Sequence, residues 1–130
     1  METREEIHCI RNNGSTARVD ILAWNATSKK GYILDPTVRF ESSVEQPTEV
    51  DEEKKSIYEP TISYFKEKFH LKEIKVHGLL IGSRGTIPRL VANFLRQLGL
   101  TSNTLEEIAI TAVKGSCRIL NNHLQNHIAL

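Results

Sequence analysis

Cysteine is nearly missing from this chain of 130 residues: Cys9 and Cys117 stand far apart, and no Cys-x-x-Cys pair occurs. That excludes a zinc knuckle and a disulfide framework, and it fits a reducing compartment. A surplus of one charge is missing too, since 17 basic against 16 acidic residues leave a formal +1 at neutral pH. Such a chain has no global field for nucleic acid, so any phosphate affinity must come from a local patch. No stretch holds the about eighteen consecutive apolar residues that a transmembrane span needs. The start, Met1-Glu2-Thr3-Arg4-Glu5-Glu6, is charged and has no apolar run behind it. A secretory signal of ordinary form is therefore not expected, and the expected location is intracellular. Internal repeats and low-complexity tracts are also lacking, and the length suits one domain around one hydrophobic core.

What the chain does have is a pair of apolar segments, Arg18 to Trp24 and Tyr32 to Phe40, joined by the polar stretch Asn25-Ala26-Thr27-Ser28-Lys29-Lys30-Gly31. This predicts a β-hairpin. With Asn25 opposite Lys30, the register sets Asp20 directly across from Asp35, their β carbons about 5 Å apart. Two readings stand. Both acids can end strands and point to water, as Asp mostly does. Alternatively they face each other among Val19, Ile21, Leu22, Ile33, Leu34 and Val38, where like charges ask for a cation between them or a shared proton. Asp is depleted in strands, so two of them here need a reason.

Glu41 to Glu53 holds six acids and no basic residue. It leads into a helix near Asp51, with Thr48 and Asp51 spaced as a capping box. Pro60 ends or bends that helix, which resumes through Ile62, Phe65 and Phe69. Glu73 to Gly82 alternates and then turns continuously apolar, the pattern of a central strand entering a covered sheet. Ile87, Leu90, Val91, Phe94, Leu95 and Leu98 recur at helical spacing, with Pro88 in the first turn and Gly99 past the end. Thr104 with Glu107 forms a further capping box, predicting a helical extension over 101–130 that Gly115 divides. Hairpin, helix, strand, helix reads as a small mixed α/β domain.

Metal-dependent hydrolysis of a phosphodiester needs carboxylates to hold a hard cation, and positive charge near the phosphate. Mg²⁺, or Mn²⁺ in its place, suits one or two carboxylates with waters and phosphate oxygens as its other ligands. Asp20 and Asp35 meet the first need. In many restriction-type nucleases a lysine lies two residues beyond the second acid, a place held here by Thr37.

Arg18-Val19-Asp20, fourteen intervening residues, Asp35, then Lys54 and Tyr58 one helical turn apart, together resemble the restriction-enzyme-like endonuclease domain of site-specific non-long-terminal-repeat retrotransposons. The strings Gly31 to Glu41 and Gly78 to Pro88 are similar to the C-terminal region of the same family, and the resemblance spans roughly residues 15 to 100. In that family the lysine has moved from the strand to the following helix. The resemblance implies a restriction-endonuclease-like core, with Asp20 and Asp35 as metal ligands, Lys54 as the displaced catalytic lysine and Tyr58 as its aid. Lys55 is a rival for Lys54, but it is i+3 rather than i+4 from Tyr58. Val19 replaces the family's common proline, and an apolar β-branched residue suits a strand there. The reverse transcriptase domain and Cys/His element that precede this domain in the family are not in these residues, so a chain starting at Met1 is expected to be a truncated, decayed or domesticated copy.

Gly82-Ser83-Arg84-Gly85-Thr86 links the expected central strand to a helix N-terminus, where free N–H groups favour an anion such as a DNA phosphate. It lacks the Gly-Lys-Ser/Thr ending of a nucleotide loop, and an ordinary flexible turn is the alternative. Arg84 is its candidate phosphate contact, with Arg18, Lys75 and Arg89 as further candidates. From Lys66 to Arg96 there are seven basic residues against Glu67 and Glu73. Joined in one patch they would supply salt-sensitive binding to double-stranded DNA; as solvated faces they would not. His123 and His127 lack the Glu of a His-Glu-x-x-His motif and read as a helix surface. Trp24 reads as a rim-of-core aromatic or a base-stacking one.

The resulting expectation is an Mg²⁺-dependent nuclear endonuclease that nicks target DNA to prime reverse transcription, with element RNA as a partner only through domains upstream. Its rivals are a catalytically idle remnant that binds DNA or protein, and an interaction module unrelated to nucleic acid.

Overall fold

A computed structural model describes residues 2–103, 105 and 106. Four strands, β1 (Glu2–Ile10), β2 (Thr16–Asn25), β3 (Lys30–Arg39) and β4 (Glu73–Gly82), form one sheet in the order β1-β2-β3-β4. The first three are antiparallel neighbours, and β4 runs parallel to β3. A parallel pair cannot be joined by a tight turn and needs a crossover. Helix α1 (Gln46–Tyr58), a 3-10 turn at Glu59–Thr61 and helix α2 (Ile62–Phe69) supply it, and helix α3 (Arg89–Gln97) follows β4. The chain is thus mixed α/β.

Local chemistry sets these boundaries. The Asn25 side-chain oxygen accepts the N–H groups of Thr27 and Ser28 at 2.8 and 2.9 Å. This Asx turn, with Lys29 at φ 60°, fixes the β2–β3 register at Asn25 opposite Lys30, as expected. Pro60 divides the crossover helix where its missing N–H predicts. His70 ends α2 in the left-handed region at φ 55°. Pro88 caps α3, and Gly99 follows it at φ 93°.

Side-chain alternation puts Ile74, Val76 and Gly78 on one face of β4 and His77, Leu79 and Ile81 on the other. On the first face Phe65 of α2 packs with Leu22, Ile33, Ile74 and Val76. On the second, Val91, Ala92 and Leu95 of α3 join Ile21, Leu34, Leu79 and Ile81, and the Phe94 ring stacks on His77 at 3.8 Å.

Three sequence expectations change. The charged N-terminus forms β1, an edge strand in which Cys9 is the one buried side chain. Its charges blunt the open edge, and it has too few apolar residues to show a period. Strand β4 is not central: among the described residues it pairs with β3 alone and stands at the end of the order. Helices on both its faces, rather than strands on both its sides, explain its apolar run. Helix α1 starts at Gln46 with Pro47 in its first turn and no side-chain cap bond, so Thr48 and Asp51 form no capping box. Leu105 is buried with the α3 cluster. The box of Thr104 and Glu107, Gly115, Cys117, the two C-terminal histidines and nearly all of the 101–130 extension lie outside the described residues. No helix among the described residues is long and apolar enough to cross a membrane.

Phe65 has no solvent exposure and joins the crossover to the sheet. Truncation to Ala is expected to cost about 3–5 kcal/mol in urea unfolding. A loss below about 1 kcal/mol would show that this face is not a close-packed core.

Candidate functional site at the fork of two strands

Asp20 and Asp35 sit where β2 and β3 part. The β2–β3 pairing runs from Asn25 and Lys30 up to Ile21 and Leu34 and stops one step before the two acids meet. Pro36, which has no N–H to give to a ladder, follows at once. On its other side β2 pairs Glu5 with Ile21 and Ile7 with Val19, skipping the rung of Glu6 and Asp20, and Glu6 takes φ 49°. The alternation slips there too, because Val19 packs in the same cluster as Leu22 while Ile21 packs in the other. Asp20 therefore lies at an irregularity that re-aims its side chain, as strand irregularities beside functional sites do.

The two carboxyl groups lie close enough for Asp35 to act on the titration of Asp20. Asp35 is buried, with 5% of its surface exposed, whereas Asp20 is half-buried. Burial first, then the nearness and charge of Asp35, push the Asp20 pKa up to about 6, against a smaller opposing pull from Arg18 and Lys54. A carboxyl group whose charged form is disfavoured by burial and by a neighbouring acid is one that a nearby cation would stabilise.

Helix α1 brings two donors to this point. Lys54 Nζ lies 3.2 Å from Asp35 Oδ2, and the Tyr58 hydroxyl donates to the same oxygen at 2.9 Å. Their i, i+4 spacing sets both on one helix face. Burial first, and then the charge of Asp35, hold the Tyr58 pKa above the ordinary phenol range, so Tyr58 is a neutral donor. The Thr37 hydroxyl stands 3.3 Å from Asp35 Oδ1, in the place where a strand-borne lysine would lie. Lys55 points elsewhere, to Asp51 Oδ2 at 2.9 Å.

Sequence reasoning missed the parts that let α1 come so close. Gly78 is opposite Asp35 in the β3–β4 register, and a Cβ there would fall 2.7 Å from Lys54 Cγ and 2.7 Å from the Val50 carbonyl. The Gly78 N–H donates to Asp51 Oδ1 at 2.9 Å. A glycine inside an apolar strand was the available signal, since it marks a close approach by another segment.

The expected phosphate cradle is filled from within. Among the N–H groups of the 82–86 turn, Gly82 bonds the Thr86 carbonyl, Ser83 the Arg39 carbonyl and Gly85 the Gly82 carbonyl. Arg84 N–H donates to Glu41 Oε1 at 3.2 Å and the Thr86 hydroxyl to the same oxygen at 2.9 Å, while α3 begins only at Arg89. A side-chain carboxylate thus occupies the place expected for an external anion. The Arg84 side chain, 78% exposed, lies 3.8 Å from Glu41 Oε2. Arg89 lines a groove of about 480 Å³ with Glu41, Gly82 and Leu90. Lys75 pairs with Glu73 at 3.5 Å and borders a smaller pocket with Lys55 and His77. Of the four proposed phosphate contacts, Arg18 is the one whose charge reaches Asp20. The acidic run is also engaged internally, through Glu41, Asp51 and the pair of Glu53 with Arg39 at 2.9 Å.

No cluster of three or more His, Cys, Asp or Glu side chains gathers among the described residues. Two carboxylates do, and two suffice for Mg²⁺, which keeps waters as its remaining ligands. The donor set is oxygen only, and its raised Asp20 pKa is what a cation would relieve.

A raised carboxyl pKa favours the native state fully below the unfolded value near 3.8, and the benefit is lost as pH rises through about 6. Asp20→Asn keeps the uncharged form at every pH. In metal-free buffer it is expected to gain about 1 kcal/mol of stability at pH 8, allowing for solvent screening, and almost nothing at pH 4. Thermal unfolding at the two pH values measures this, and an equal or reversed difference would contradict it.

Compared with known proteins, the chain matches no protein-family model and no curated protein.

Proposed function

We propose that this chain is a metal-dependent DNA endonuclease with a restriction-endonuclease-like core, which nicks target DNA for insertion of a non-long-terminal-repeat retrotransposon. The observation that carries this reading is the convergence of Asp20, Asp35, Lys54 and Tyr58, from two strands and one helix, on the Asp35 carboxylate. These are the positions that the family resemblance assigns to metal ligands, displaced lysine and its aid. Support comes also from Lys54 rather than Lys55 being the lysine that meets Asp35.

Asp20 and Asp35 would hold Mg²⁺ or Mn²⁺, which when bound supplies an acidified water and offsets negative charge on the phosphate. Lys54 places an ammonium beside Asp35, preorganised for charge that develops at phosphorus. Tyr58 orients the carboxylate: Lys54 and Tyr58 both engage Oδ2, and the longer Thr37 hydroxyl contact falls on Oδ1. Arg18, beside the acids, is the first residue to contact a backbone phosphate of double-stranded DNA, with Arg84, Arg89 and Lys75 farther out. Such contacts give sequence-independent, salt-sensitive affinity. Work on chromosomal DNA places the protein in the nucleus, and pairing with element RNA belongs to other segments.

Conversion of supercoiled plasmid to nicked circle in Mg²⁺ tests the reading. Asp35→Ala is expected to abolish nicking while circular dichroism stays native, and Lys54→Ala to slow it by about 10²-fold or more. Unchanged cutting by Asp35→Ala would refute the assignment. Duplex binding without cutting by the unaltered protein would favour the idle remnant instead.

A further inference from the structure

Lys54 and Lys55 are neighbours on one helix, yet one reaches Asp35 and the other does not. Helix phase separates them, and Asp51 stands one turn earlier. Asp51 accepts the Gly78 N–H on Oδ1 at 2.9 Å and pairs with Lys55 on Oδ2 at 2.9 Å, with its side chain 19% exposed. Among the described residues β4 pairs with β3 alone, and Asp51 takes one of the N–H groups along its other edge. The residue so anchored, Gly78, is the β3–β4 partner of Asp35 itself. The stem of Lys54 then lies on the bare α carbon of Gly78, where any side chain would collide with Lys54 Cγ and the Val50 carbonyl.

We infer that Asp51 is a positioning residue for Lys54: its carboxylate seats α1 on that edge of β4 at the Asp35 rung and pairs with Lys55. Its two oxygens divide the work. A neutral acceptor could hold the Gly78 N–H, and the negative charge adds the hold on Lys55. The catalytic consequence rests on the nuclease reading, whereas the placement of Lys54 does not.

The test reads placement first, in metal-free protein without DNA. A lysine ammonium held by a carboxylate exchanges its protons slowly enough to give a ¹H–¹⁵N cross-peak at neutral pH, and an exposed one does not. Lys54 is expected to show this peak in the unaltered protein and in Asp51→Asn, which keeps the acceptor oxygen. It is expected to lose the peak in Asp51→Ala and in Gly78→Ala, with backbone amide dispersion reporting that each variant is folded. Survival of the peak in folded Asp51→Ala, or its loss in folded Asp51→Asn, would overturn the inference. In nicking assays, Asp51→Ala should lower kcat by about 10²-fold, as a displacement of about 1 Å does, with KM for DNA and Mn²⁺ affinity unchanged. Asp51→Asn should restore kcat to within about threefold, far above the loss that a 1 Å misplacement brings. If the unaltered protein shows the peak pattern and cuts nothing, the placement stands and the nuclease reading falls.

Discussion

Asp20 and Asp35 bear like charges on neighbouring strands, and the fold holds them together in a partly buried place instead of spreading them into water. Direct opposition of two acids in a ladder is destabilising. The chain keeps the arrangement by ending the β2–β3 ladder one rung early and by breaking the β1–β2 ladder at the same level. Freed from strict alternation, the two side chains meet at a fork. Burial first, and then the nearness of Asp35, raise the pKa of Asp20, and perturbed groups of this kind cluster at sites arranged for chemistry.

Everything near the fork answers that excess of negative charge. Lys54 contributes a cation and Tyr58 a neutral donor to one oxygen of Asp35, from adjacent turns of α1. That helix can lie so low only because residue 78 is glycine. Asp51 then ties it to the edge of β4 that has no strand partner among the described residues, through the Gly78 N–H. Two members of the acidic run 41–53 are engaged away from the fork, since Glu41, ahead of α1, closes the 82–86 turn and Glu53, within α1, pairs with Arg39. Stability and site geometry thus share the same contacts in this part of the molecule.

Much of this was legible in the chain. The polar stretch from Asn25 to Gly31 fixed the register of Asn25 with Lys30, because an Asx turn of this kind leaves little choice of pairing. The expected pairing of Asp20 with Asp35 does not form, since the ladder ends at Ile21 and Leu34. Lys54 and Tyr58 were legible as one helix face, and Pro60 as the break in the crossover. β1 was not, since an edge strand buries almost nothing and shows no apolar period. Nor was the terminal position of β4: a run covered by helices on two faces looks the same in sequence as one flanked by strands. Asp51 read as a helix cap because local spacing is all that a capping box requires, whereas its real partner, Gly78, is distant in sequence. The 82–86 turn read as open to anions because nothing local shows that Glu41 fills it.

The central claim is that the fork between β2 and β3 is a cation site, and paramagnetic broadening by Mn²⁺ tests it most directly. Titrated into ¹⁵N-labelled protein without DNA, the ion is expected to broaden amides around Asp20 and Asp35 first, and Mg²⁺ in excess should reverse the effect. Broadening centred on the acidic segment 41–53, or none that Mg²⁺ displaces from the fork, would contradict the account.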